Sequence, residues 1–444
     1  MPSFAVRNFG CRVNQAEAFA WAEALREQGL RLGEDWGRSD VVIVNSCTLT
    51  GRAERDVRKF IRAVHRENPG SRIVVTGCYA ERAPAEIADL PGVTAVLPQS
   101  AKDGLAGRLL TIEAQVGDDK TRPGFSLPEP LGIARPGAAE TGAEIAPGRH
   151  EPAFRARGWL KIQDGCDNRC SYCIIPSVRG RSRSVAGPDI VKAAVDLAGR
   201  GFREIVLAGI HLSSYGEDLA SRGSLLGLLQ ALDDAAVPAR LRLSSLDPRK
   251  TEAGLMAHVA TAARICPHFH FSLQHASRHV LGLMGRPVEP GLYDAILEEM
   301  RRLSPEAALG ADLMVGFPGE AEADFNELKV IVERSPLTYA HVFSYSPRPG
   351  TPAAKLHQVP SGVVTERAKA LRRVSALKDF RFRRRFIGRE LEAVVIARTA
   401  KGAEVLTGNF IRVLVPPSRS REGELVRVAI RCVLPLRTEG EIVA

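Results

Sequence analysis

The sequence predicts an α/β protein: an N-terminal parallel-sheet domain, a central partial (β/α) barrel and a small β-barrel at the C-terminus. Three observations predict it. Up to about residue 116, a strand, a cysteine and a helical pattern recur three times. From Gly158 the alternation returns on a longer period, with six candidate strands. After Pro352 one basic helix precedes a tail of strand-like runs.

Taken in order, FAVRNFG, VVIVNS and IVVTG are apolar runs, and each leads into a cysteine: Cys11, Cys47 and Cys78. Helical patterns follow them (AEAFAWAEALREQ, ERDVRKFIRAVHREN, ERAPAEIADL). Such alternation builds a parallel sheet with covering helices, and residues 1–116 form that unit. Residues 117–157 turn Gly-, Pro- and Ala-rich and read as a linker or a meander without its own core. The strands WLKIQD, EIVLAGI, RLRLSS, FHFSLQ, ADLMVGF and AHVFSYS, with helical stretches between them, make a full or partial barrel over 158–385. LEAVVIARTA, AEVLTGNFIRVLVP and ELVRVAIRCVLPL close a small barrel over 386–444.

A chain of 444 residues exceeds one core, so several domains are expected. No long apolar run offers a membrane span. The start MPSFAVRNFGC lacks a basic stretch followed by an apolar one, so a secretory signal is not expected. A cytoplasmic address follows, where thiols stay reduced, and the eight cysteines read as metal ligands or core residues before disulfides. The net charge of +10 fits a polyanionic partner and a plain solubility charge equally well.

Three cysteines fall within DGCDNRCSYC, at Cys166, Cys170 and Cys173, in a polar loop after the first barrel strand. Packing does not ask for that spacing. Three thiolates do not complete a tetrahedral zinc site, and neither His150 nor His211 stands at ligand spacing. They do hold three corners of a 4Fe–4S cluster, leaving one iron open to a ligand. Cys11, Cys47 and Cys78 occupy equivalent strand ends, which line one edge of a parallel sheet, where ligands bind. A second cluster with one open iron is the expected product. Cys266 and Cys432 share no such register and read as structural.

The spacing C-x3-C-x2-C with Tyr172 before the last cysteine resembles the radical S-adenosylmethionine signature. With FGCRVNQAE, VNSCTLT, TGCYAE and DGCDNRCSYCIIPSVRGRSRS, nearly the whole chain resembles the methylthiotransferases. FGCRVNQ is most similar to the branch that modifies N6-threonylcarbamoyladenosine in tRNA. The isopentenyladenosine branch usually has Gln-Met-Asn at that turn, and the branch acting on a ribosomal-protein aspartate a proline after the first cysteine; Arg12-Val13-Asn14 matches neither. The resemblance implies a barrel of radical-SAM type and two 4Fe–4S clusters. S-adenosylmethionine would chelate the open iron of the barrel cluster and yield a radical that abstracts hydrogen. It also implies an electron donor such as flavodoxin or ferredoxin, and a monomer. Cofactor contacts carried over from family motifs are Tyr172, Gly209, Ser244, Gln274, Val315 and Gly316. One departure stands out: LQHAS (273–277) replaces the usual Leu-Gln-Ser-Gly-Ser.

Between Ser361 and Glu390 there are ten Lys or Arg against three Asp or Glu. The run reads either as a solvated helix face or as an RNA-binding one. The β-rich tail resembles the family's TRAM domain. Arg383, Arg384, Arg385, Phe410 and Arg412 are accordingly expected on tRNA, at the anticodon loop. The expected activity is methylthiolation of C2 of threonylcarbamoyladenosine beside the anticodon. The alternatives are the isopentenyl base or a ribosomal protein as acceptor, and a non-catalytic metal-bearing RNA-binding protein.

Overall fold

The computed structural model of the protein describes residues 2–33, 35–102, 104–109, 156–252, 254–289 and 291–443. Of the segment read as a linker at 117–157, residues 117–155 lie outside the described residues. Strands β1 (Ser3–Asn8), β2 (Arg31–Leu32), β3 (Val41–Ser46), β4 (Arg72–Gly77) and β5 (Val93–Val96) form one sheet, ordered β2-β1-β3-β4-β5. All pairs are parallel. Every residue of β3 is buried, as a parallel strand covered on both faces requires. One face packs Val42, Val44, Ile73 and Val75 under Val57, Ile61 and Val64 of α2 (Gly51–Glu67). On the other face Phe4, Val6, Ile43 and Val74, with Phe19 and Leu25 of α1 (Arg12–Glu27), enter the same core as the central domain. The two domains therefore fold as one body.

In the central domain β6 (Gly158–Lys161), β9 (Glu204–Ala208) and β10 (Arg240–Leu243) form one parallel sheet. The hairpin pair β7 (Gln163–Asp164) and β8 (Arg183–Ser184) brackets the cysteine loop. A second parallel sheet holds β11 (His268–Gln274), β12 (Ala308–Val315) and β13 (Tyr339–Ser344). Single bridges at Leu241–Ile265 and Leu246–Phe271 stitch the sheets into an open six-stranded barrel. Strand alternation settles which side chains face the lumen. Phe269, Phe271, Leu309, Leu313, Ala340 and Val342 pack into the outer core, so His268, His270, Asp312, Tyr339 and His341 point inward. The helix Ser361–Arg384 covers β13, with the Ser375 hydroxyl bonded to both backbone groups of Ala340.

At the C-terminus β14 (Glu390–Thr399), β15 (Gly402–Thr407), β16 (Arg412–Val415), β17 (Leu425–Leu434) and β18 (Arg437–Val443) close a barrel, ordered β14-β15-β16-β18-β17. Two of these strands exceed the sequence reading. AEVLTGNFIRVLVP breaks at the Gly408–Ile411 turn, and RTEGEIV pairs with β17 although its outward side chains are polar. A Cβ at Gly440 would stand 2.5 Å from the Ala429 carbonyl oxygen, so glycine lets the two strands approach.

The tail barrel docks under the floor of the central one. Glu204 is fully buried and accepts from Arg240 and Arg242, which reach on to the carbonyls of Leu406, Thr407 and Gly408. Removing one partner from a buried pair of this kind costs about 3–5 kcal/mol. Two expected RNA contacts are corrected here. Phe410 stacks on His268 at 4.0 Å between centroids, with the Arg242 guanidinium 5.4 Å from its ring centre, so it plugs the barrel floor. Arg383 is buried; its fork donates to Asp379 and to the carbonyls of Leu434, Pro435 and Arg437. Burying a guanidinium without such partners would be prohibitive, and here they fasten the helix to the tail.

Candidate functional site

The three strand-end cysteines meet at the C-terminal edge of the N-terminal sheet. Cys11 stands at the N-cap of α1, Cys47 follows β3, and Cys78 opens α3 (Cys78–Arg82) after Gly77. Gly10 has φ +112°, and a Cβ there would lie 2.6 Å from the Cys47 Cβ and 2.7 Å from its Sγ. Glycine thus lets the first loop fold over the second cysteine. The thiols feel one another: burial pushes Cys11 up to about 12, and Cys78 adds to the shift; burial and Cys11 likewise raise Cys47. The Arg179 guanidinium opposes the rise at Cys11 and Cys47 without overcoming burial. Metal ions reverse that by stabilising the thiolate.

The central loop is equally shaped. Gly165 has φ +68°, and a Cβ on it would sit 1.9 Å from the Arg181 carbonyl oxygen. The Asn168 amide donates to Cys166 Sγ at 3.4 Å, and the Arg286 guanidinium lies 3.8 Å from Cys170 Sγ. Arg286 also binds Asp247, which holds His211 at 3.1 Å. Burial pushes Cys173 up to about 12.

Donor chemistry separates a cluster from a single ion. Zinc at about 2.3 Å from each sulfur requires sulfurs roughly 4 Å apart. Among the described residues, the His/Cys/Asp/Glu group whose ligand atoms all lie within 4.8 Å of one another is His270, Asp312 and His341, and neither cysteine triplet meets that limit. Wider triplets of sulfur suit a multi-iron cluster.

Between the triplets runs an apolar wall. Cys78, Cys166 and Cys173 belong to one hydrophobic cluster with Ile174, Ile175, Val178 and Ile210, and Ile210 also packs with Cys11 and Val13. One polar pillar passes beside it. Arg179, fully buried, donates to Cys78 Sγ at 3.2 Å, Asn14 Oδ1 at 2.6 Å, Asp164 Oδ1 at 2.9 Å and Glu17 Oε1 at 3.2 Å. It joins both triplets' loops in one network. Asn14 in turn donates to the carbonyls of Phe9 and Ser46. In the Arg12-Val13-Asn14 turn, Asn14 thus ties the loops, Val13 joins the wall and Arg12 enters the lumen, donating to Leu243 O at 2.7 Å.

Sequence reasoning missed Arg179, Arg286, Asp247 and Ile210. The signal for Arg179 was present, as a basic residue in the apolar stretch IIPSVRG where solvent exposure was unexpected.

The residues assigned to the cofactor gather at strand ends. The Gly209 amide donates to Ser244 Oγ at 3.2 Å, joining the ends of β9 and β10. A Cβ on Gly209 would lie 3.0 Å from Gln163 Oε1. Gln274 ends β11 with φ +68°, and Val315 ends β12 with its side chain in the core. Gly316 has φ +72°, and the Glu320 carboxylate accepts from its amide. Tyr172 packs edge-on against Phe317 at 6.3 Å. In LQHAS, His275 is fully buried; its Nδ1 accepts from the Ser277 amide at 3.0 Å, and Ser277 caps the following helix. His275 shapes this turn from within. Arg384, Arg385 and Arg412 are exposed, with Arg412 paired to Glu404.

Two family models match the chain: an uncharacterized family, UPF0004, over residues 3–98, and the radical SAM superfamily over 160–329. The chain is 32% identical over 410 residues to a threonylcarbamoyladenosine tRNA methylthiotransferase of Thermotoga maritima, covering 92% of this chain and 89% of that one. It is 34% identical to a ribosomal protein uS12 methylthiotransferase of Saccharopolyspora erythraea, over 95% and 85% of the two chains. A solved radical S-adenosylmethionine methyltransferase from Kitasatospora setae shares the fold, with a TM-score of 0.55, 14% identity, and coverage of 80% and 77%.

Proposed function

The chain belongs to the radical S-adenosylmethionine methylthiotransferases, and from that premise we propose that it adds a methylthio group to C2 of N6-threonylcarbamoyladenosine beside the tRNA anticodon. The family uses S-adenosylmethionine and 4Fe–4S clusters. In our reading Cys166, Cys170 and Cys173 hold one cluster, and Cys11, Cys47 and Cys78 the other. The observation that carries the proposal is the wall containing Ile210, against which both triplets pack.

When bound, these groups supply a carbon-centred radical from one side and a transferable sulfur from the other. The C2 hydrogen of adenine lies far outside the reach of any side-chain base, so its removal calls for that chemistry. The protein's own work is to hold and to shield. Gly209, Ser244, Gln274, Gly316 and Tyr172 frame the cofactor between the barrel strand ends, Ile174, Ile175, Val178 and Ile210 keep water from the space between triplets, and Arg179 steadies Cys78. An anticodon loop suits this site because its bases can be splayed out without melting a duplex. The isopentenyl base remains the second reading. Arg12 argues against it, since the corresponding turn of that branch carries Gln.

Nucleosides of total tRNA from cells with and without the gene decide between them by mass. Loss of the methylthio threonylcarbamoyl species, with its precursor accumulating, is the expected result. Loss of the isopentenyl species instead would keep the reaction and overturn the substrate.

For tRNA capture we assign Arg384, Arg385 and Arg412, which stand exposed near the junction of helix and tail. Charge reversal of Arg384 and Arg385 to Glu should weaken tRNA binding more at low salt than at high salt, because counterion release is lost. Unaltered affinity in filter binding across a salt series would return the run to a solvated face.

A further inference from the structure

We propose that the lumen of the central barrel binds the acidic arm of the substrate base, with the Arg12 guanidinium holding the arm's carboxylate and His270, Asp312 and His341 holding its hydroxyl and ureido groups. The proposal rests on the threonylcarbamoyl reading, and it assigns the part of the protein that would make that choice.

Arg12 is 6% exposed and comes from the turn that carries Cys11. Its charge reaches Tyr339 and Asp312, and it helps to lower His268 and His270 beyond what burial alone does. The guanidinium donates to the Leu243 carbonyl at 2.7 Å, at the end of β10, which puts it among the barrel strands. Arg242 and Arg157 act on it as like charges, and Asp312 as an opposite one.

The second observation is a set of polar atoms below the strand ends. His270 Nε2 and His341 Nδ1 stand 3.0 and 3.4 Å from Asp312 Oδ1. Both imidazoles thus share one carboxylate oxygen and, against the effect of burial, their presence holds Asp312 below the ordinary carboxylate range. Asp312 and His341 keep 18% and 23% of their side-chain surface open. Since their neighbours on the outer face are buried, that opening is to the lumen. A hydrocarbon arm laid over these partly open polar groups would strip their solvent and return no hydrogen bond, whereas a polar arm replaces it.

Depth agrees. Asp312 lies three residues before Val315, about 10 Å down the strand from the cofactor end. In adenine a single ring nitrogen separates C2 from the carbon bearing N6. A base with C2 held near Cys11 thus has its N6 arm within reach of the neighbouring Arg12. A carboxylate finds a guanidinium there, the ureido N–H groups find Asp312, and the hydroxyl finds an imidazole.

The test uses reconstituted full-length enzyme and two anticodon stem-loops, one with the threonylcarbamoyl carboxylate and one with that group as a neutral carboxamide. Wild type should prefer the acid by about 10–100-fold in kcat/KM, the range of a charge-assisted hydrogen bond. Arg12→Gln should bring the ratio near one, and Arg12→Lys should keep most of it. Because the ratio is internal to each variant, partial damage to folding or to cluster content does not alter its meaning. If Arg12→Gln proves inactive on both, the wild-type and Arg12→Lys ratios decide alone. Equal use of acid and amide by wild type, or a full preference kept by Arg12→Gln, overturns the proposal. An enzyme that ignores both stem-loops and accepts an isopentenyl one overturns the substrate reading itself.

Discussion

Changing Cys166, Cys170 and Cys173 together to alanine should leave the anaerobically reconstituted protein with about half its iron and sulfide, and with no methylthio transfer at all. In the assignment proposed above, the remaining half belongs to Cys11, Cys47 and Cys78, whose loops follow strands of the N-terminal sheet. Gly10 and Gly77 shape the loops of Cys47 and Cys78, and Arg179, which the triple variant keeps, still donates to Cys78. The expected loss of activity is complete because no side chain replaces the radical chemistry. Iron and sulfide assays on the triple variant, beside tRNA nucleoside mass analysis, check both halves. Stoichiometric zinc in either triplet would sink the assignment, and so would an iron content that falls to zero while the fold is kept.

Arg179→Met should destabilise the protein by about 3–5 kcal/mol, since it takes from two buried carboxylates the guanidinium that bridges them and leaves Lys161 alone between them. Glu17 and Asp164 are both held below the ordinary carboxylate range; burial works against this, and Arg179 with Lys161 and Lys102 overcomes it. Methionine fills the volume but supplies no donor for Asn14, Cys78 or Asp164. Guanidinium chloride unfolding of the apoprotein reads the first effect. Iron bound per chain at the N-terminal triplet reads the second, and should fall too. A midpoint equal to wild type would show that Lys161 and Lys102 suffice to neutralise the network.

How far the sequence carried is clearest residue by residue. The central triplet stood out because packing does not ask for three cysteines at that spacing in one polar loop. The outer three cysteines were legible only through their register, since equivalent strand ends must meet at one sheet edge. β18 escaped because half its residues face solvent and its run is too polar to read as a strand. Arg383 was misplaced for a different reason. An arginine in a basic run is exposed by default, and the carbonyls that bury this one come about 50 residues later in the chain. Phe410 misled likewise: beside Arg412 it suggested stacking on a base, whereas its partner is a histidine at the far end of the barrel. Local pattern reports which residues are polar or apolar. It does not report who meets them.

The docking of Phe410 on His268 limits how such proteins can be recombined. A tail barrel swapped in from a relative at the sequence boundary near residue 386 would bring its own hairpin tip to a floor built for this one. Arg240 and Arg242 would then face unfamiliar carbonyls, and Glu204 would hold their charge with half its purpose gone. The portable unit is discontinuous: the tail, plus the starts of β9, β10 and β11. An exchange of tails must carry those barrel positions with it, so the tail and the barrel floor are coupled inheritances.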